Sequence, residues 1–137
     1  MKHRVLSQEE LADRWHKIKP LVNKSLAYGM GDVTAHGLYI ECLGSISQCW
    51  VMEDEEGNIL GAAITRILTF ATYKELVIVT TTITGWSDVG PNVLEDIEEF
   101  ARGIGCKYTT VHGRKGWKRV LDKHGYKSPY ITLMKEL

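Results

Sequence analysis

Residues 105–126 read GCKYTTVHGRKGWKRVLDKHGY, a run in which glycines separate short apolar segments. Gly105 is placed to end a preceding helix. Residues 108–112 predict a short strand. A glycine corner follows, after which residues 115–124 predict a helix with an apolar stripe that Gly125 terminates. The order of helix, strand, glycine corner and helix indicates the closing part of an α/β domain.

The preceding part of the chain predicts helices first and then strands. Residues 7–10 form a capping box, which starts a helix in which Pro20 predicts a kink or two abutting segments. The other expected elements are a short strand at residues 4–6, a helix at 34–43, strands at 48–53, 59–70 and 75–84, a helix at 92–104 and a final strand at 131–136.

Length and composition predict one ordinary globular domain spanning residues 1–137. The chain is 44% hydrophobic and 25% charged, as is typical of globular domains. Lysine plus arginine and aspartate plus glutamate balance at 17 each, so no global field favours nucleic acid or an anionic membrane. No apolar run approaches the roughly 20 residues that a membrane-spanning helix needs. The N-terminus lacks a secretory signal pattern, so we expect the protein not to be secreted.

Cysteine and histidine spacings predict no metal site. The three cysteines are dispersed and lack CxxC spacing, which favours buried free thiols in a reducing compartment. The five histidines form no HxxxH pair and join no acidic or cysteine cluster, so each is interpreted as a surface or half-buried residue.

The order of elements resembles, from end to end, the GNAT superfamily of N-acetyltransferases. The resemblance implies an α/β (α+β) fold with a mixed, mainly antiparallel twisted sheet and helices on both faces. In that family acetyl-CoA enters a V-shaped split between the fourth and fifth strands. Its pyrophosphate contacts backbone amides of a Q/R-x-x-G-x-G/A loop that opens the next helix, because free amides and the positive helix end bind phosphate.

The loop that matches this motif departs from it. Residues 84–92 read TGWSDVGPN and contain Gly90, but no Gln or Arg precedes it. Pro91 removes an amide donor, Asp88 adds negative charge and Trp86 is bulky where the backbone should approach closely. We therefore expect no cofactor. If acetyl-CoA does bind, the resemblance assigns it to Val89, Gly90 and Asn92.

The catalytic positions of the family also differ. Its motif N-x-x-A-x-x-x-Y-x-x-x-G-F, aligned on Gly125 and Tyr126, places Leu121 where the family has its tyrosine acid. A leucine cannot donate a proton, and Tyr126 fits the aromatic that packs. Glu75 is the carboxylate on the fourth strand, but its place at the strand start favours an exposed edge residue over a general base. No residue is therefore assigned a catalytic role.

Five further motifs are spread over nearly the whole chain: WHKIKP at residues 15–20, LAYGMG at 26–31, QCW at 48–50, GRKGWKRVLDKHGY at 113–126 and KEL at 135–137. Together they resemble motifs of small proteins encoded in tailed-bacteriophage genomes, often beside head and portal genes. This resemblance implies a non-catalytic virion-associated or assembly protein, in the virion or the host cytoplasm, on a degenerate acetyltransferase fold. The alternative is an acetyl-CoA-dependent N-acetyltransferase of a small amine or host protein.

The assembly hypothesis needs a partner surface, for which exposed aromatics beside charge are typical. Its partner would be a portal or head–tail protein, or a second copy of the chain. The basic final helix leaves nucleic acid open, but a solvated face or an acidic protein partner fits the neutral chain better. We expect Trp117 to fill the space that acetyl-CoA would need. The candidate partner residues are Tyr28, Trp86, Arg114, Trp117 and Arg119.

Overall fold

Five strands form one sheet in which spatial order follows chain order, β1-β2-β3-β4-β5. The computed structural model describes residues 2–84, 86–113 and 115–137. Strands β1 to β4 pair antiparallel, and β5 pairs parallel with β4. The elements are β1 (Lys2–Val5), α1 (Gln8–Leu26), α2 (Ala35–Leu43), β2 (Ser47–Glu53), β3 (Ile59–Thr69), β4 (Lys74–Ile83), α3 (Trp86–Gly103), β5 (Tyr108–Val111) and α4 (Gly116–Asp122).

Helices pack against both faces of this sheet, which confirms the predicted fold class. Along β2, Cys49 and Val51 point to one face, while Trp50 and Met52 point to the other, as the two-residue period of a strand requires. The first core lies between the sheet and helices α1 and α2; it includes Leu11, Ile18, Val22, Leu38, Val51 and Ile64. The second core lies under α3 and α4; it includes Met52, Ala63, Leu76, Leu94, Ile97 and Leu121.

Helix α1 begins at the predicted capping box. The Ser7 hydroxyl accepts a hydrogen bond from the Glu10 amide, and the Glu10 carboxylate accepts one from the Ser7 amide. Pro20 lies inside α1, which continues to Leu26 as one helix rather than two abutting segments. Its buried positions Leu11, Ile18 and Val22 lie at helical spacing, so the amphipathic pattern holds the helix on the sheet across the proline.

One predicted helix start and one predicted strand are wrong. Helix α3 begins at Trp86, not at Asn92, and Pro91 lies inside it. Proline has a helical φ and removes one hydrogen bond, the one to the carbonyl four residues earlier, so it need not mark a helix start. The predicted final strand is also not formed: residues 131–137 have no strand assignment in the described structure. Their apolar alternation suits a strand, but a strand requires a paired edge.

A buried carboxylate ties β1 and α1 to β2. Glu53 is 7% exposed. Its two carboxylate oxygens accept hydrogen bonds from Arg4 Nε at 3.0 Å and from Arg14 Nη1 at 2.9 Å. Arg4 also donates to Glu10, and that hydrogen bond is the largest cause lowering the pKa of Glu10 to about 2. The network therefore holds the edge strand β1 and the start of α1 in one arrangement.

We expect Glu53→Gln to lower the free energy of unfolding by about 1.5–3 kcal/mol, the usual worth of a hydrogen bond to a charged group. The substitution leaves Arg4 and Arg14 beside an uncharged amide. The matched control is Glu99→Gln, because Glu99 pairs with Arg102 on the exposed face of α3 and should change stability by about 0.5 kcal/mol or less. Urea denaturation measures the free energy of unfolding of both variants. An equal decrease in the two would contradict a stabilising role for the Glu53 network.

Candidate functional site

The sheet opens where β4 separates from β5. The two strands pair from Glu75 opposite Tyr108 to Ile78 opposite Val111. Strand β5 ends at Val111, whereas β4 continues to Ile83. The last five residues of β4 therefore have β3 on one side and no paired strand on the other, within the described chain.

A bulge in β4 lies at the same point. Ile64 of β3 pairs with Thr80, and the next β3 residue, Thr65, pairs with Ile78, so Val79 has no counterpart. A bulged residue bends its strand and increases the local twist, and bulges occur often beside functional sites. The bulge and the last β4–β5 pair coincide, which predicts that β4 turns away from β5 here.

The separation leaves a cleft of about 860 Å³, within the usual size range of small-molecule and cofactor sites. One wall is the free part of β4, and the other comes from the end of β5 and from α4, with α3 beneath. The end of α1 and the α1–α2 loop form one mouth. Lining residues include Lys24, Tyr28, Asp32, Val79, Thr80, Leu94, Ile97, His112, Gly113, Trp117, Val120 and Leu121.

Thr80 lines this cleft and carries a buried hydroxyl. The residue is 3% exposed, and its Oγ1 has no hydrogen-bond partner among the described residues. Thr82, two residues on, differs because its hydroxyl donates to the Leu21 carbonyl at 2.6 Å. A buried polar atom without a partner costs about 1–3 kcal/mol. Thr80 Oγ1 is therefore one of two buried polar atoms on lining residues that lack a partner in the described structure; the other is Arg66 Nε.

Charged side chains lie at the margins of the cleft. Asp32 is the one carboxylate among the described lining residues, and it is exposed, as is His112 at the end of β5. Arg66 also lines the cleft, but its Nη2 donates to both carboxylate oxygens of Glu41, at 2.9 and 2.7 Å. The Arg66 charge is thus matched by Glu41, although its buried Nε has no partner among the described residues. Lys24, Asp32 and His112 are the exposed basic and acidic residues of the lining.

The cofactor-contact candidates lie inside α3. Gly90 is buried, Val89 is partly buried and Asn92 is exposed, and none of the three lines the cleft. Because the helix begins at Trp86, the amides without intrahelical partners belong to the turn that precedes these residues. Contact of Val89, Gly90 and Asn92 with a cofactor remains an untested prediction.

Two of the five partner candidates meet at the cleft. Tyr28 lies at the α1 mouth and Trp117 on the α4 wall, whereas the exposed Arg119 does not line it. The side chain of Trp86 and the whole of Arg114 lie outside the described residues. Trp117 packs against Gly113 and the second core as part of the cleft wall, and that it fills the space for acetyl-CoA remains a prediction. The cleft is open beside it.

Leu121, at the position of the family's acid, and Tyr126, at the position of its packing aromatic, are both partly or fully buried. Leu121 is 6% exposed within the second core and forms part of the cleft floor. The Tyr126 hydroxyl lies 2.8 Å from Thr109 Oγ1 and donates to Glu98 at 2.8 Å, and burial raises the pKa of Tyr126. Tyr126 therefore links β5 to α3 and stays protonated, which fits a packing role.

Other kinds of site are not formed by the described residues. No group of three metal-ligating side chains occurs among them. Cys42 and Cys49 are buried free thiols, as predicted, and burial is the largest cause raising the pKa of each to about 12. Within the described chain no helix is both long and apolar enough to cross a membrane.

Comparison with solved structures identifies a GNAT-like fold. Ribosomal-protein-alanine N-acetyltransferase from Brucella melitensis biovar Abortus 2308 superposes with a TM-score of 0.75 at 8% identity, covering 100% of both chains. Glucosamine-6-phosphate N-acetyltransferase from Arabidopsis thaliana gives 0.71 at 18% identity, covering 98% of this chain and 97% of that one.

A third similar structure is an aminoglycoside acetyltransferase from an uncultured soil metagenomic sample, solved with sisomicin. Its TM-score is 0.71 at 15% identity, covering 99% of this chain and 95% of that one. No family model and no curated protein sequence matches the chain. The similarity is therefore one of fold, and none of the structures named here is described as a phage protein.

Sequence reasoning missed Val79, Thr80, Asp32 and His112. The run Thr80-Thr81-Thr82 was the available signal, because three polar β-branched residues are unusual in a strand otherwise apolar enough to be central. The pattern favoured a strand, but it did not indicate which threonine would lack a partner.

The Gly113–Trp117 contact generates a test of the cleft wall. A Cβ added at Gly113 would lie 2.8 Å from Trp117 Cδ1, so Gly113→Ala should displace the indole and cost about 1–3 kcal/mol of stability. In a Trp117→Ala background that cost should largely disappear, which a double-mutant cycle in urea measures.

Gly116→Ala is the matched control, since a Cβ there meets nothing within 4 Å and should be neutral or slightly stabilising. A Gly113→Ala cost that is the same with and without the tryptophan would contradict this packing.

Proposed function

We propose that this chain is an acetyl-CoA-dependent N-acetyltransferase acting on a small amine or a host protein. The observation that carries the proposal is the open cleft where β4, bulged at Val79, leaves β5. Its fold is shared with acetyltransferases that act on chemically different amines. Because a fold alone does not fix an activity, the proposal depends on whether the residues of this cleft suit the cofactor.

The cleft residues fit the pantetheine arm of coenzyme A, which is a narrow chain of methylenes and two amides. Beyond Ile78, the β5-facing side of β4 has no paired strand among the described residues, so backbone groups there are available to an extended ligand, as an open sheet edge is to a peptide. Leu94, Ile97 and Val120 provide apolar surface for the methylenes. The unpartnered Thr80 hydroxyl provides a polar contact.

The acceptor would enter from the mouth formed by α1 and the α1–α2 loop. The Asp32 carboxylate at this mouth favours a protonated amine by simple charge attraction. An amine must lose a proton before it attacks, and the imidazole of His112, which also lines the cleft, is a proton-accepting group. Acetyl-CoA, when bound, supplies an activated thioester carbonyl. In this proposal Asp32 binds the acceptor and His112 takes the proton that the amine loses. The new N–C bond to the acetyl group replaces the C–S bond of the thioester, and coenzyme A leaves as the thiol, with a proton from the imidazolium or from water.

A virion-associated or assembly role remains the second candidate. Leu121 favours it, because the position that holds a proton-donating tyrosine in the resembling enzymes is apolar and buried here. Tyr28 is the one tyrosine among the described lining residues. The structural comparisons favour acetyl transfer over the assembly role. Measurements of acetyl-CoA binding and turnover distinguish the two roles.

Calorimetric titration with acetyl-CoA tests the cofactor site. We expect micromolar binding that Thr80→Val weakens about 5–10-fold, corresponding to the loss of one hydrogen bond of about 1–1.4 kcal/mol. The thermal stability of the free protein should not fall, because the hydroxyl removed has no partner. Thr110→Val is the matched control: its Oγ1 is likewise buried without a partner, but Thr110 does not line the cleft.

Failure of wild-type protein to bind acetyl-CoA at millimolar concentration would overturn the proposal. If the protein binds acetyl-CoA but releases no thiol with any of a panel of amines and basic peptides, it is a cofactor-binding protein and not a transferase. Equal weakening by both threonine variants would show that Thr80 is not a ligand contact.

A further inference from the structure

Two side chains of opposite charge lie at the α1 mouth of the cleft without pairing. Lys24 lies in the last turn of α1, and Asp32 lies in the loop that follows. Both are exposed lining residues, and neither forms an ion pair with the other or with another described residue. Charges arranged in this way are available to groups of opposite sign on another molecule.

The loop between α1 and α2 holds Asp32 at this mouth. Gly31 has a φ of 80°, a left-handed conformation that glycine adopts without steric cost, so the chain can turn sharply just before Asp32. Helix α2 then begins after Thr34, whose hydroxyl accepts a hydrogen bond from the Gly37 amide. Asp32 is therefore held between the end of one helix and the cap of the next.

A second cation lies in the same part of the cleft. Arg66 of β3 is a lining residue with a side chain that is 26% exposed. Its Nη2 donates to both carboxylate oxygens of Glu41, and the Ser47 hydroxyl donates to one of them at 3.0 Å. These contacts fix the guanidinium, but its Nε is buried without a partner in the described structure. A buried donor in that state favours a further acceptor atom.

The signs of these charges favour an anion as well as an amine. Among the described lining residues Lys24 and Arg66 are cations, and Asp32 is the one carboxylate. A polyamine or a basic peptide would bring additional positive charge beside the two cations, and like charges repel. A molecule that carries one amine and one anionic group matches both signs of the lining.

We propose that the acceptor is a small zwitterion, with its amine on Asp32 and its carboxylate or phosphate on Lys24 and Arg66. This inference rests on the proposed acetyl transfer and narrows its acceptor to amines that carry their own anionic group. Since Lys24 and Asp32 do not contact each other, a short linker must separate the amine of the acceptor from its anion.

Acceptor kinetics on the full chain, measured as thiol release from acetyl-CoA, test the proposal. The probes β-alanine and γ-aminobutyrate are each compared with the corresponding uncharged amide. Phosphoethanolamine distinguishes phosphate from carboxylate, and putrescine has a second amine in place of the anion. We expect kcat/KM to be about tenfold higher for the zwitterions than for the amides, the effect of two partly exposed charge contacts.

Variants of Lys24 test which residue binds the anion. Lys24→Met should lower the zwitterion-to-amide ratio of kcat/KM by about fivefold, because one exposed charge contact is lost. Lys24→Glu should reverse the preference in favour of putrescine, since the mouth then carries two carboxylates. Lys17→Met is the matched control: Lys17 is an exposed lysine of the same helix that does not line the cleft, and its loss should leave the ratio unchanged.

Amide chemical shifts of the isotope-labelled chain provide a readout that needs no turnover. In the presence of coenzyme A, γ-aminobutyrate should shift the amides of residues 24–33 in a saturable way, and its uncharged amide should bind more weakly. In Lys24→Met the two probes should bind more nearly alike, because the contact that distinguishes them is lost.

Three results would overturn this inference and leave the transferase intact. Equal kcat/KM for zwitterions and amides in the wild type would show that the mouth does not recognise the anion. An unchanged preference in Lys24→Met would assign the anion to another residue. Weaker calorimetric binding of acetyl-CoA by Lys24→Met would show that Lys24 contacts the cofactor instead of the acceptor. A wild type that neither binds acetyl-CoA nor releases thiol with any probe would overturn both the proposed function and this inference.

Discussion

The interruption of β4 pairing at Val79 is the constraint on which the cleft depends. On one side the bulge removes Val79 from the β3 ladder, and on the other β5 ends opposite Ile78. A strand that loses regular pairing on both sides at one point is free to bend there. The bend leaves the free part of β4, including Thr80, beside a space that no strand of the described chain fills.

Each separated strand is held by its own contacts, which keeps the space open. The free end of β4 is tied to α1 by the hydrogen bond from Thr82 to the Leu21 carbonyl. Strand β5 is tied to α3 through Tyr126, which joins Thr109 to Glu98. The two strands are thus anchored to helices on opposite faces of the sheet. The fold can therefore pack a core on each face and still keep the ends of β4 and β5 apart.

The sequence predicted the elements that depend on local pattern. The capping box at Ser7 and the stripe Leu11, Ile18 and Val22 placed α1, and apolar β-branched runs placed β2 to β4. What failed depended on non-local pairing. The alternation of residues 131–136 is strand-like, but whether a strand forms depends on an available edge. Likewise, the bulge at Val79 is a property of register between two strands, which neither strand encodes alone.

The candidate site was harder to predict than the fold for the same reason. Comparison of residues 84–92 with a phosphate-loop motif directed attention to Gly90 and Pro91, whereas the structure places those residues within α3. The cleft is instead lined by residues far apart in sequence, such as Asp32, Thr80 and Trp117. No single sequence motif contains these residues together, so the sequence did not indicate that they would line one cleft.

Amide hydrogen exchange with and without acetyl-CoA tests the central claim most directly. We expect slower exchange at residues 79–84, where β4 has no second strand beside it among the described residues, and at residues 111–113 on the opposite wall. The amides of β2, already paired on both sides, should not change. Unchanged exchange at residues 79–84 when acetyl-CoA is bound, or protection confined to another surface, would contradict the claim that the interruption of β4 creates the ligand site.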